Sequence, residues 1–159
     1  MREQHLPTLR RGLGVGWQLA LVFVVSLAGL AGLIGWLQNV HIVTANGMFK
    51  SIQAEPWMRD FAHARLDPSN YLYFPLYGAL ANLLDALGIA RGQAWKQFAY
   101  LNAFWASLAN VMVYAFAHRL SGSARVATLA TLFHIGCGTV LLLAVINEDI
   151  MPGYALLLG

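Results

Sequence analysis

The chain has 159 residues, of which 58% are apolar and 11% charged, a balance that excludes an ordinary water-soluble domain of this length. Its formal net charge of +3 is spread along the chain. No basic run is interleaved with aromatic residues, so nucleic-acid binding finds no support. The one cysteine, Cys137, rules out an intramolecular disulfide framework and a cysteine-based metal cluster; set between Gly136 and Gly138 in an apolar stretch, it reads as an inert buried thiol.

No Asp, Glu, Lys or Arg occurs between Arg11 and Lys50, between Lys96 and Arg119, or between Arg125 and Glu148. Gaps of that length suit lipid-facing helices, which need about 20 mostly apolar residues to cross a bilayer. The first expected span covers residues 14–37. Arg10 and Arg11 stand before it, and Trp17 and Trp36 mark its ends as interface anchors. A cleaved signal peptide has an apolar core of only about 7–15 residues, so the segment reads as an uncleaved anchor.

The next apolar segment, Tyr71–Leu84, is short, carries Pro75 and Gly78, and ends at Asp85. Its length and its aromatics Tyr71, Tyr73, Phe74 and Tyr77 predict an interfacial or re-entrant helix over about 71–87. Two further spans are expected, at 98–117 and 126–146, joined by the polar turn His118–Arg125. Ala99, Ala103, Ala106 and Asn110 give the former a small-residue face for close packing. Asn102, Ser107 and Asn110 are able to hydrogen-bond across it. Residues 150–159 are apolar but make only about half a span. The sequence therefore predicts an all-α, polytopic membrane protein, seen through the N-terminal part of a single membrane domain. With the short segment lying flat, as its length favours, Arg2, Arg10, Arg11, Arg119 and Arg125 face the cytoplasm, Glu148 and Asp149 emerge outside, and residues 38–97 form a large first extracytoplasmic loop. If the segment spans instead, the Arg119–Arg125 turn moves outside and the acidic pair inside, and the count of basic residues in short loops barely separates the two.

Chemistry concentrates in that loop, which carries Lys50, Glu55, Arg59, Asp60, His63, Arg65, Asp67 and Asn70. Carboxylates held at a lipid surface can act as a base on a hydroxyl or hold a metal ion against a lipid phosphate. Lys50, Arg59 and Arg65 are candidates to meet such a phosphate directly. Glu148 and Asp149 form a second acidic group at a helix C-terminus, where the macrodipole opposes them; helix stability does not explain their presence there. His134 lies mid-span and reads as a neutral histidine bonded to a neighbouring helix, with no second ionisable residue at its depth. His41 and His63 lack a second ligand at metal spacing, so no zinc site is indicated. Neither a Gly-rich phosphate loop nor a nucleophile elbow is present.

The order of parts carries a resemblance. An anchor helix and an acid-bearing loop lead to Asp67-Pro68-Ser69-Asn70-Tyr71-Leu72-Tyr73-Phe74-Pro75-Leu76-Tyr77. A helix then ends in Ala117-His118-Arg119-Leu120-Ser121-Gly122-Ser123-Ala124-Arg125, and another in Asn147-Glu148-Asp149-Ile150-Met151-Pro152-Gly153-Tyr154. This resembles the N-terminal part of the GT-C superfamily of membrane glycosyltransferases, which includes the protein O-mannosyltransferases and the lipid A aminoarabinose transferases. The resemblance implies transfer of a hexosyl or pentosyl group from a polyprenyl-phosphate donor to an extracytoplasmic acceptor. It also implies a bacterial inner-membrane location with the N-terminus in the cytoplasm. A first-loop acid would be the base, with Asp60 preferred over Glu55 and Asp67, since Asp67 with Pro68 has the form of a helix cap. Glu148 and Asp149 would serve the donor phosphate, or a divalent metal such as Mg or Mn. The chain departs from the family pattern in having no acid within Gln38–Lys50. Two other classes fit the composition: a multi-span transporter or channel subunit, with His134, Asn102 and Asn110 lining a pathway, and a non-enzymatic membrane assembly protein.

Overall fold

The computed structural model describes residues 6–37, 73–91, 93–138, 140–141 and 150–159, and among these the regular structure is helical throughout. The helices are α1 (Leu6–Leu37), α2 (Tyr73–Ala86), α3 (Ala94–Ser121), α4 (Ala124–Gly136) and α5 (Ile150–Leu158). Within α1, the stretch Gly14–Leu37 is the one described helix long and apolar enough to cross a membrane. Its 24 residues reach roughly 36 Å, against a hydrocarbon core of about 30 Å. Trp17 and Trp36, at its two ends, are 78% and 70% exposed, as side chains at a lipid–water boundary would be.

The turns explain where the other helices stop. Beyond α2, Gly88 takes a left-handed conformation (φ 73). Its N–H donates to the Asp85 carbonyl and that of Ile89 to the Leu84 carbonyl, the paired bonds of a Schellman ending. α3 also ends on a left-handed glycine, Gly122 (φ 64), but by the single bond of an αL ending, its N–H donating to the His118 carbonyl; His118 and Arg119 stand in its last turn. The side chain of Ser123 then caps α4 by accepting from the Val126 N–H.

α4 is shorter than the sequence predicts. In place of one helix over 126–146, it stops at Gly136, and Cys137 is extended (φ −63, ψ 115). Helical backbone resumes at Gly138, Val140 and Leu141. Two glycines flanking one residue lower helix stability by about 1 kcal/mol each relative to alanine, which is why the break falls here. The break also turns Cys137 outward. Its thiol is exposed, not buried as the apolar context suggests.

α3 is the axis of the fold: α1, α2, α4 and α5 each approach its backbone, and none approaches another's as closely. α1 runs antiparallel to it, Leu30 and Ile34 packing on Ala99, Ala103 and Ala106. All three alanines are essentially inaccessible; small side chains let the two backbones come close. Phe23 meets Phe104 edge to face at 5.6 Å. α2 folds back on the first half of α3, with Tyr77 and Ala81 against Phe98 and Leu101. α4 returns antiparallel after the Gly122 turn. α5 runs parallel to α3, with Tyr154 packed near Ala103 and Ala106 and Gly159 beside Met112.

Candidate functional site

The titratable groups singled out in the sequence, Lys50, Glu55, Arg59, Asp60, Arg65, Asp67, Glu148 and Asp149, lie outside the described residues. Among the described residues, no three His, Cys, Asp or Glu side chains cluster as metal ligands would. What is visible is where the two acid-bearing connections are attached. Leu37 lies one turn beyond Ile34, which packs on Ala99 and Ala103. Tyr73 lies one turn before Tyr77, which packs on Phe98. Leu141 packs on the Leu30, Ile34 and Ala99 cluster, and Ile150 lies one turn before Tyr154 of that same cluster. All four attachment points therefore stand around the N-terminal half of α3. The opposite end holds the Arg119–Arg125 turn and the first turns of α1, since Gln18 bonds to Tyr114.

Between those ends α3 carries buried polar residues spread around its circumference. Gln97, Asn102, Ser107 and Asn110 are each at most 1% exposed. Polar groups removed from water are costly unless bonded, and most of these are. The Tyr77 hydroxyl donates to Asn102 Oδ1 at 2.7 Å, while its ring meets Phe98 edge to face at 5.3 Å. Ser107 donates within its own helix to the Ala103 carbonyl. Gln97 Nε2 donates to Asp85 Oδ1 and to the Ile89 carbonyl, fixing the turn between α2 and α3. Near the far end the Tyr114 hydroxyl donates to Gln18 Oε1 at 2.8 Å.

The densest contact centres on His134 of α4. Its Nδ1 lies 2.7 Å from Asn110 Oδ1, and its Nε2 lies 2.7 Å from the Tyr154 hydroxyl. The Asn110 oxygen can only accept, so Nδ1–H donates to it and Nε2 accepts from Tyr154; a neutral imidazole satisfies both contacts. The Tyr154 ring stacks on the imidazole at 5.7 Å and 11°. The expected bond from His134 to a neighbouring helix is present, but the sequence analysis misses Tyr154, a second titratable group at the same depth. Tyr154 reads in sequence as part of the acidic stretch at the membrane edge, and only the α4 break with the return of α5 brings it inward. Gln18, the partner of Tyr114, is likewise visible in the sequence only as a polar interruption of an apolar run.

Two buried polar atoms have no partner among the described residues, Gln97 Oε1 and Trp105 Nε1. Leaving such a group unpaired costs about 1–3 kcal/mol, so each calls for a complementary group from outside those residues. Between α1, α3 and α4 an open groove of about 190 Å³ is lined by Leu21, Val25, Tyr114, Thr131, Leu132 and Ile135. Ser26 and Thr128 also border it, and three of its four hydroxyls enter internal bonds, Tyr114 to Gln18, Thr128 to the Ala124 carbonyl and Thr131 to the Ala127 carbonyl. The groove is otherwise lined by aliphatic side chains and offers no charged group.

The geometry defines an all-α bundle with a membrane-length N-terminal helix and a polar central helix. Comparison with protein-family models, with curated proteins and with solved structures yields no match to this chain.

Proposed function

We propose that the chain is the front part of a multi-pass membrane glycosyltransferase that moves a sugar from a polyprenyl-phosphate donor to an extracytoplasmic acceptor. One observation carries this reading. The connections bearing Glu55, Asp60 and Asp67 and bearing Glu148 and Asp149 both leave and rejoin the described helices around the N-terminal half of α3. The other end holds Arg119 and Arg125 beside the α3–α4 turn, together with Arg10 and Arg11 in the first turns of α1. Basic residues do not orient the bundle, since Arg91 and Lys96 stand at the acid-bearing end and Lys50, Arg59 and Arg65 belong to the 38–72 connection; the shortness of Tyr71–Leu84 carries the assignment of faces.

In this mechanism Asp60 takes the proton of the acceptor hydroxyl as its oxygen bonds to the anomeric carbon, and the lipid phosphate departs with the electrons of the broken glycosidic bond. Glu148 and Asp149 serve at that phosphate; if a divalent ion takes part, these two carboxylates would hold it and it would neutralise the phosphate charge. Lys50, Arg59 and Arg65 would meet the phosphate directly. A transporter would need its buried polar groups to line an open path, whereas Asn102, Asn110 and His134 each bond to a neighbouring helix.

The test is transfer of labelled sugar from a polyprenyl-phosphate donor by the full-length protein in membranes. Asp60→Asn should abolish transfer with insertion intact. Asp149→Asn and Glu148→Gln should weaken donor use by about ten- to a hundredfold, the equivalent of one charge-assisted contact. Asp67→Asn should be tolerated, because Asn caps helices as well as Asp. Normal transfer by all four variants would end the two-acid mechanism.

A further inference from the structure

On the membrane part of the proposal above, and independently of sugar transfer, we infer that α2 and the turn behind it form a docking surface for anionic phospholipid. A leucine stripe sits among the acyl chains, and Arg91 and Lys96 meet the headgroup phosphates. α2 has two distinct faces. Tyr77, Ala81 and Asp85 turn toward α3, where the first two pack on Phe98 and Leu101 and the third accepts from Gln97 Nε2. Leu76, Leu83 and Leu87 follow at i, i+7 and i+11, on a stripe about 140° around the helix from that packed face. They are 46%, 53% and 64% exposed, and Ile89 just beyond them is 41% exposed. Leu87 keeps the helical register, since its N–H donates to the Leu83 carbonyl. Asn82, also exposed, lies about 120° from the leucines and on neither face.

The depth of α2 follows from α1. Ile34 packs on Ala99 and Ala103, and the exposed Trp36 stands two residues beyond it, at the end of the membrane-length stretch. Because α1 and α3 are antiparallel, Trp36 is level with Lys96 and Gln97. Tryptophan favours the headgroup layer, so the α2–α3 turn lies in that layer. Tyr77 meets Asn102, five residues further along α3 than Gln97, which is roughly 7 Å toward the bilayer centre. α2 thus descends from the turn to the depth of about 5–10 Å at which amphipathic helices lie in a membrane surface. Charge then selects the lipid. The one acid of residues 73–121 is Asp85, which faces α3 and Gln97. Arg91 is exposed, and the Lys96 ammonium lies 5.9 Å from the Tyr100 ring centroid. Two cations beside an apolar stripe complement a negatively charged headgroup layer, where each Lys or Arg is worth about fivefold in attraction.

The test uses the full-length protein in a Cys137→Ser background, reconstituted in vesicles with a bimane dye on single cysteines. At Leu83→Cys the dye should be quenched by phosphatidylcholine brominated on its acyl chains and spared by aqueous iodide. At Asn82→Cys the order should reverse. Val24→Cys, on the exposed face of α1 (Val24 is 60% exposed), is the membrane control and should be quenched by the brominated lipid. At equal mole fraction, brominated phosphatidylglycerol should quench Leu83→Cys more strongly than brominated phosphatidylcholine. Arg91→Gln and Lys96→Gln should each lower that preference by about fivefold, and the double variant should level the two lipids.

Equal quenching by the two lipids with both cations in place, or a preference that survives the double variant, overturns the anionic-lipid assignment. Iodide quenching at Leu83→Cys with lipid quenching at Val24→Cys overturns the docking surface and leaves the membrane reading standing. Iodide quenching at both positions removes the membrane reading as well. A protein that shows the expected lipid preference yet transfers no sugar retains the docking surface and sinks the glycosyltransferase reading.

Discussion

Tyr77 and Asn102 are both fully buried, and a 2.7 Å hydrogen bond joins them across the α2–α3 contact. Tyr77→Phe keeps the ring against Phe98 and deletes the donor. With the bundle in a membrane, as proposed above, such a bond is worth about 0.6 to 1.7 kcal/mol, and that loss should appear as easier detachment of α2, measured by proteolysis within 73–86 under conditions where α3 stays protected. Unaltered protection would assign the contact to ring packing alone. The sequence read Tyr77 as one of several boundary aromatics, because aromatic spacing reports proximity to an interface and says nothing about which hydroxyl turns inward. Asn102 and Asn110 were easier to read. An amide inside an apolar run has to find a partner, so their role in interhelical bonding follows from composition. Which helix supplies the partner depends on docking angles that no local pattern encodes, and for that reason Tyr154 escaped notice beside His134.

At the scale of elements, the stop signals were more legible than the breaks. Gly122 holds φ 64 with nothing within 4 Å of an added Cβ, so Gly122→Ala meets no clash and costs only the left-handed backbone, about 1–2 kcal/mol. Gly122→Asn should cost less, since Asn visits that region readily. Unfolding midpoints in detergent should rank Gly above Asn above Ala; equal values for all three would mean the turn is not formed as described. The Ser121-Gly122-Ser123 turn was plain in the sequence because a polar interval between two apolar runs has one topological meaning. The Gly136-Cys137-Gly138 break was hidden, because hydropathy over 126–146 is continuous and an apolar window averages away two glycines. The exposed thiol follows from the same break.

For the whole molecule, the all-α class and the membrane-length N-terminal helix were both legible from charge-free gaps and apolar content. The acid-bearing connections at 38–72 and 142–149 lie outside the described residues, so the candidate catalytic residues themselves stand as the sequence reading left them. Their attachment around one end of α3 was not legible, since it depends on α2 folding back and α5 returning. That arrangement makes a topological prediction. In a Cys137→Ser background, a cysteine at Ser51 should react with an impermeant thiol reagent added outside intact cells, and one at Ser123, beside Arg119 and Arg125, should not. External labelling at Ser123 would reverse the assignment of faces and remove the support for a shared outer acidic site.

On the membrane reading proposed above, a chain made from its N-terminus delivers α1 to the bilayer before α3 exists. α1 can reside there unaccompanied, being apolar and only 17% buried over its membrane-length window. α3 is different: its 28 residues bring Gln97, Asn102, Ser107, Asn110 and Tyr114 into the bundle interior, groups that hydrocarbon alone would penalise. When α3 emerges, Gln18 and the Leu30–Ile34 surface are already waiting for Tyr114 and the alanine face, and Tyr77 is waiting for Asn102. Asn110 has to wait for His134, 24 positions later, and the His134 ring is complete only with Tyr154. The helix with the most polar interior is thus recruited by neighbours synthesised before it and sealed by those synthesised after it.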